Sequence, residues 1–426
     1  KRQVGDLDSG TTPVLDMPID SSVVNGAEIH QRIDGFGAGV VFLYSGLDPI
    51  TEANADLLFG TNSGQFGLSL LRIRISPTGN DWANLQDARK AVARGAKVMA
   101  TPWTPPASMK DSNDLVGGSL LTNEYANYAR YLNHFAAYMK ANGVELAAIS
   151  VQNEADIEVS YECCVWTPEQ LRVFCRDYAG AIINAPLMMP ESFRFDRAYS
   201  DPTLNDPAAL ANVDIIGGHL YGTSVSDYPN ARARDMPMWM TEYLINDQTW
   251  PTAMQTAEQI HDSLVTGNVS AYIWWKTLGD ANGLLDNTGA PQRRGYVMGQ
   301  FSRFVRPDFY RIGVNSAGAA KVSAYKDATG ALSIVAVNHS AADVGQTFTL
   351  THCPVAGSLT PWITSSNLSL AVRSPVPVYD AMFAYVLPAM SVVTFTGRID
   401  DTGLNMVAAA SVAEDGDVLV DAAGLA

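Results

Sequence analysis

Eight short apolar runs, at residues 33–41, 68–76, 97–103, 145–153, 187–190, 213–221, 237–242 and 269–275, recur along the first two thirds of the chain. Runs without polar alternation suit parallel strands covered on both faces, since neither face then meets water. Parallel neighbours need a crossover between them, and the segments 82–94, 123–142, 168–183 and 251–266 have the spacing of amphipathic helices. Thr122 stands just before the 123–142 helix, and Asn142-Gly143 closes it. Thr167-Pro168-Glu169 supplies a cap, a proline at the first helical position and a carboxylate at the positive end of the helix dipole. Eight such strands alternating with helices predict an α/β fold, a (β/α)8 TIM barrel.

After about Phe304 the texture changes. Alternating or β-branched runs at 331–337, 346–350 and 390–396 are broken by Gly, Pro, Asn and Ser, with no long helical pattern between them. This predicts a side β-sandwich domain over 305–399, beside a catalytic barrel over 31–304. Residues 14–30 also have strand character, so the N-terminal segment 1–30 is expected to add strands to the side domain. Residues 400–426, acidic and Ala-rich, read as a linker or an extra strand.

A net charge of −16 argues against nucleic acid or an anionic membrane as partner, because binding phosphate needs clustered Lys and Arg. No run of 18 uncharged apolar residues is present, so no membrane-spanning helix is expected. The chain begins Lys1-Arg2, as it would if a targeting segment had been removed or if it started internally. Cys163, Cys164, Cys175 and Cys353 match no zinc spacing. A disulfide from Cys175 to one of the vicinal pair and four small buried thiols both fit.

Two glutamates carry the chemistry. Glu154 follows the fourth run directly, as Ser150-Val151-Gln152-Asn153-Glu154, and Glu242 ends the seventh, as Trp239-Met240-Thr241-Glu242. Catalytic groups of such barrels collect at strand carboxyl ends, and strands four and seven face each other across the ring. A pair of carboxylates meeting there is what hydrolysis of a glycosidic bond requires. Glu154 would act as general acid and then base, and Glu242 as the nucleophile.

Several blocks in order carry a resemblance. They are Gln31-Arg32-Ile33-Asp34-Gly35-Phe36-Gly37, Leu70-Leu71-Arg72-Ile73-Arg74-Ile75, Trp103-Thr104-Pro105-Pro106-Ala107-Ser108-Met109-Lys110, Gly218-His219-Leu220-Tyr221-Gly222 and Arg294-Gly295-Tyr296-Val297-Met298, with the two glutamate motifs and Phe304-Val305-Arg306-Pro307. Together they resemble the xylanase branch of glycoside hydrolase family 30. The resemblance implies a barrel with a side β domain and a retaining enzyme that cleaves β-1,4-xylosidic bonds by double displacement. It implies that Arg72 hydrogen-bonds the nucleophile and that Asn153 binds the sugar 2-hydroxyl. Trp103, Tyr221, Tyr243 and Trp275 would hold sugar rings, and His219 would orient its neighbours. No metal and no cofactor are expected.

One stretch departs from the glucuronoxylan-specific members, which carry an arginine loop after the eighth strand. Here residues 274–280 read Trp274-Trp275-Lys276-Thr277-Leu278-Gly279-Asp280, with no guanidinium to grip a glucuronate branch as a fork. The sequence therefore predicts a secreted, monomeric xylanase acting on xylan or xylo-oligosaccharides without strict need for glucuronic acid. The competing readings are a β-1,6-glucanase or other β-glycosidase of the family, a glucuronoxylan-specific or xylobiose-releasing xylanase, and a non-catalytic carbohydrate-binding protein.

Overall fold

The computed structural model describes residues 19–42, 49–79 and 84–400. Its first element, β1 (Ile19–Arg32), does not enter the barrel. It pairs antiparallel with β12 (Tyr310–Ala317) and parallel with β15 (Val344–Thr351), both from the far end of the chain. The barrel follows. Its strands are β2 (Gly35–Gly39), β3 (Leu70–Ile75), β4 (Lys97–Pro102), β5 (Leu146–Ser150), β6 (Leu187–Ser192), β7 (Ile215–His219), β8 (Met238–Glu242) and β9 (Ala271–Trp274), closed in that order with every pair parallel.

The crossovers are α1 (Glu52–Phe59), α2 (Leu85–Val92), α3 (Tyr125–Ala141), α4 (Pro168–Asp177), α5 (Arg197–Leu204), α6 (Pro207–Leu210), α7 (Pro229–Arg232) and α8 (Trp250–Val265). A small pair, β10 (Lys276–Leu278) and β11 (Gly283–Leu285), precedes α9 (Arg293–Ser302). Thr167 caps α4 as its sequence suggests, with a reciprocal side-chain bond to Gln170. Thr122 instead opens a 3₁₀ turn, Thr122–Glu124, and α3 starts at Tyr125, two residues after the expected 123. The fourth crossover helix stops at Asp177 and passes into a second 3₁₀ turn, Ala179–Ala181, short of the expected 183.

Strand periodicity decides what faces inward. Leu71, Ile73 and Ile75 of β3 join the cluster between barrel and helices. Leu70 points into the barrel, with Met99, Ala148, Met188, Ile215, Trp239, Ala271 and Ile273 from the other strands. This plug fills the amino-terminal half, and its Trp239 indole donates to Asp34 Oδ2 at 2.9 Å. One pleat higher the inward positions turn polar, beginning with Arg72, so the functional layer rests on a dry base.

The remaining strands are β13 (Lys321–Lys326), β14 (Ala331–Asn338), β16 (Ser358–Thr364), β17 (Ala371–Val372), β18 (Val376–Pro377), β19 (Met382–Leu387) and β20 (Ser391–Arg398). With β1, β12 and β15 they form one ten-stranded sheet. The sheet curls on itself around its own apolar cluster, where Phe348 of β15 meets Phe395 of β20 at 5.3 Å between ring centroids. The sandwich is thus a single curled sheet, antiparallel except where β1 lies beside β15. Residues 1–18 of the N-terminal segment and 401–426 of the expected linker lie outside the described residues, as do 80–83 at the start of the expected 82–94 helix.

All four cysteines are buried free thiols, which removes the disulfide alternative. Burial pushes the Cys164 and Cys175 thiols up to about 12 and Cys353 up to about 11, so they behave as small apolar groups. Among the described residues no helix is long and apolar enough to cross a membrane.

Candidate active site

Arg72 organises the barrel mouth. It is fully buried, and its guanidinium reaches Glu242 Oε2 at 2.5 Å, Asn153 Oδ1 at 2.7 Å, Glu191 Oε1 at 3.2 Å and Thr101 Oγ1 at 3.3 Å. Its carbon Cζ lies 4.7 Å from the centre of the Trp103 ring. A cation buried so deeply is stable only with its donors used and its charge met, and the two carboxylates meet it.

Glu242 is the last residue of β8 and only 5% exposed. Tyr221 donates its hydroxyl to the other carboxylate oxygen at 2.8 Å. Burial raises the Glu242 carboxyl above its ordinary range. The charges of His219 and Arg72 pull it back, and the neighbouring Glu154 carboxylate raises it again.

Glu154 lies beyond β5, with φ +48°. Its segment is pinned on several sides. Asn153 N–H donates to Pro102 O at 2.8 Å, Tyr128 hydroxyl to Val151 O at 2.7 Å, and Gln152 Nε2 to Trp103 O at 2.7 Å. Farther along this loop Glu162 accepts from Arg74 Nε at 2.9 Å, which ties the loop down onto β3. The Glu154 carboxylate meets His219 Nδ1 at 3.0 Å. The ligand-type atoms of Glu154, His219 and Glu242 all lie within 4.8 Å of one another.

That trio could surround a cation in size alone. The Arg72 guanidinium on Glu242 and the imidazole on Glu154 already occupy those lone pairs with positive charge, which opposes a metal ion. His219 is held well above its ordinary value, at about 9. Burial works against its charge, but Glu242, Glu154 and Glu191 outweigh that.

A cavity of about 330 Å³ opens over the pair, lined by Phe42, Trp103, Glu154, Tyr161, Phe193, Tyr221, Glu242, Leu244 and Trp275. Trp103 and Trp275 stand 5.9 Å apart at 55°. On the other side Phe193, Tyr221 and Tyr243 form a stack with centroid spacings of 5.0 and 5.5 Å. Of the four aromatics singled out by sequence, Trp103, Tyr221 and Trp275 line the cavity. Tyr243 stands behind Tyr221 and supports it, rather than forming the wall.

Glu191, Phe42, Phe193 and Leu244 are absent from the sequence-derived set. The fifth strand is expected only over 187–190. It runs on to Ser192 through a register shift between Pro190 and Ser192, and this turns Glu191 inward. Tyr161, half exposed, belongs to the aromatic and acidic loop that follows Glu154, which was the available signal.

Comparison with known proteins agrees with this geometry. The family model described as the glycosyl hydrolase family 30 TIM-barrel domain matches residues 81–316. The chain is 40% identical over 406 residues to a protein named glucuronoxylanase XynC from Bacillus subtilis, covering 91% of this chain and 94% of that one. Among solved structures it is similar to the family 30 subfamily 8 xylanase Xyn30A of Clostridium acetobutylicum, with TM-score 0.84 and 38% identity over 89% of this chain and 99% of that one. It is also similar to a family 30 endoxylanase of Clostridium papyrosolvens C71, with TM-score 0.81, 38% identity, and coverage of 89% and 100%. The barrel, its two facing glutamates and these matches together place the chain in glycosyl hydrolase family 30, as a glycoside hydrolase.

Proposed function

We propose that this protein is a retaining β-1,4-xylanase that cleaves xylan by double displacement. The observation that carries the mechanism is the close approach of Glu154 and Glu242, within 4.8 Å between nearest ligand-type atoms. Retaining enzymes hold the two carboxyls about 5–5.5 Å apart so that one attacks the anomeric carbon directly, whereas inverting enzymes leave about 6.5–9.5 Å for a water. Glu242, held by Arg72 and Tyr221, is the nucleophile. Glu154, beside His219, protonates the leaving oxygen and then activates water from the same position. Asn153, fixed by Arg72, meets the 2-hydroxyl, where contacts strengthen in the transition state.

The substrate class rests on the relatives named as xylanases and on the aromatic walls, which suit the flat faces of sugar rings. Strict dependence on glucuronate is not expected. The loop after β9 offers Lys276, whose ammonium lies 5.8 Å from the centre of the Trp275 ring and is lowered by burial. Arg293, the next guanidinium along the chain, donates to Ser369 Oγ of the side domain at 2.9 Å. Lys276 is a point charge without a fork, and Arg293 is engaged with the side domain and does not line the cavity. A polymeric substrate and a net charge of −16 suit a secreted monomer.

The test is a product profile by mass spectrometry on glucuronoxylan beside an undecorated linear xylan. Comparable cleavage of both to short neutral oligomers is expected. Cleavage of glucuronoxylan alone, with one acidic branch at a fixed place in each product, would overturn the glucuronate reading. No cleavage of either polymer would overturn the substrate.

A further inference from the structure

Glu191 is a third carboxylate at the barrel mouth, and the two-glutamate mechanism gives it no task. It is fully buried and is not among the residues that line the cavity. Every element around it contributes a group. Arg72 of β3 donates at 3.2 Å, and Thr101 of β4 donates its hydroxyl to Oε2 at 2.9 Å. The Ser150 hydroxyl of β5 also favours the charged form of this carboxyl. From β7, His219 places Nε2 3.8 Å from Glu191 Oε1, and this buried ring nitrogen has no other partner among the described residues. Gly217 of β7 leaves the space the side chain fills, since a Cβ there would lie 3.0 Å from Glu191 Cγ. The backbone takes part as well: Glu154 N–H donates to Glu191 O at 2.9 Å. Beyond this shell stand Glu242 on the far side of Arg72, Tyr221, Tyr161, and Asp156, whose carboxylate accepts from Phe193 N–H at 2.8 Å.

We propose that Glu191 is a positioning residue for the reaction: a permanently ionised carboxylate that holds His219 as the imidazolium and leaves one proton for the Glu154–Glu242 pair to share. The charge count carries the argument. Arg72 and a charged His219 supply two positive charges. With Glu191 and Glu242 ionised, the cluster is neutral when Glu154 keeps its proton, which is the state a general acid needs. Without Glu191, and with His219 still kept charged by Glu154 and Glu242, the two cations would be balanced by Glu154 and Glu242 both ionised, and the resting enzyme would lack its acid. His219 is the link, since its two nitrogens face Glu154 at 3.0 Å and Glu191 at 3.8 Å. The Arg72 and His219 charges overcome burial to hold the Glu191 carboxyl at about 2, consistent with a group that never takes up the proton itself.

This inference rests on the proposed roles of Glu154 and Glu242, so Glu242→Gln is measured in parallel. If that variant still hydrolyses xylo-oligosaccharides, the two-carboxylate reading fails, whatever Glu191 does. The test of Glu191 is the pH profile of kcat/KM on a neutral linear xylo-oligosaccharide for wild type, Glu191→Gln and Glu191→Asp. Glu191→Gln should move the basic limb down by about one pH unit or more, the effect of removing a charge a few ångströms away. On the alkaline side this is about a tenfold loss beyond any change on the plateau. Glu191→Asp keeps the charge and should keep the wild-type limb. A uniform fall across the pH range, with the limb unmoved, would overturn the proposal. Nitrogen-15 NMR of the wild-type imidazole gives a second reading that needs no variant. Two protonated nitrogens on His219 at pH 7 are expected, and a neutral ring there would overturn the proposal even if Glu191→Gln failed to fold.

Discussion

Replacing Arg72 by Met keeps most of the stem over the Trp103 ring and removes the charge, which isolates the electrostatic role of the guanidinium. Removing one partner of a buried ion network typically costs about 3–5 kcal/mol, because the remaining charges stay buried without compensation. Glu191 provides an independent figure. Held at about 2 instead of its ordinary 4.5, its carboxyl contributes about 3 kcal/mol at neutral pH, and Arg72 is the largest of the favourable causes. A carboxyl depressed on folding adds stability that is present above its unfolded value of about 4.5 and lost as pH falls through about 2. In Arg72→Met burial is opposed far less, so Glu191 and Glu242 both come to favour the protonated form. The variant should therefore be about 3–5 kcal/mol less stable than wild type at pH 7, and the gap should narrow as pH is lowered to 4.5. Urea denaturation of both proteins at the two pH values measures this. A gap below about 1 kcal/mol at pH 7, or one that does not narrow at pH 4.5, would refute the account of the network.

Other changes separate the remaining roles. Tyr221→Phe deletes a 2.8 Å hydrogen bond to the Glu242 carboxylate but keeps the ring stack; kcat/KM should fall about tenfold to a hundredfold, and activity within twofold of wild type would rule out a catalytic use of that bond. Glu154→Gln should lower hydrolysis of unactivated xylo-oligosaccharides by about 10²–10⁴, with a much smaller loss on an aryl xyloside whose leaving group needs no proton. Equal losses on both substrates would mean that Glu154 is not the acid. Gly217→Ala would place a Cβ 2.6 Å from Met188 Sδ and 3.0 Å from Glu191 Cγ, and should cost about 1–3 kcal/mol in thermal or urea unfolding. An unchanged midpoint would show that the pocket around Glu191 is looser than it looks.

The barrel was legible because its signal is local. The strands are short, mostly apolar runs, and four of the segments between them carry a helical period. Glu154 and Glu242 were legible for a related reason, since both stand at the ends of such runs, where a barrel delivers its functional groups. Arg72 could be singled out because it stands in the Leu70–Ile75 block, whose resemblance to family 30 implies an arginine on the nucleophile. Tyr243 shows the limit of this approach. The resemblance implies that it holds a sugar ring, while the fold stacks it behind Tyr221 and outside the cavity lining.

By itself, the sequence determined the parallel barrel, the separate β-rich region, the two glutamates and the loop without an arginine, because each is written in consecutive residues or in a fixed order of blocks. Only the tertiary structure decided that Glu191 is a buried member of the charge cluster. Its inward turn depends on a register shift beside Pro190, and its worth depends on charges from β3 and β7, more than a hundred residues upstream in one case and nearly thirty downstream in the other. The shape of the side domain was decided the same way. That β1 runs parallel to β15 follows from pairing between the two ends of the chain, which no local pattern encodes. Hydrophobic periodicity is a short-range property that can be read along a chain, whereas electrostatic balance sums over every charge brought near, and only the folded barrel brings them together.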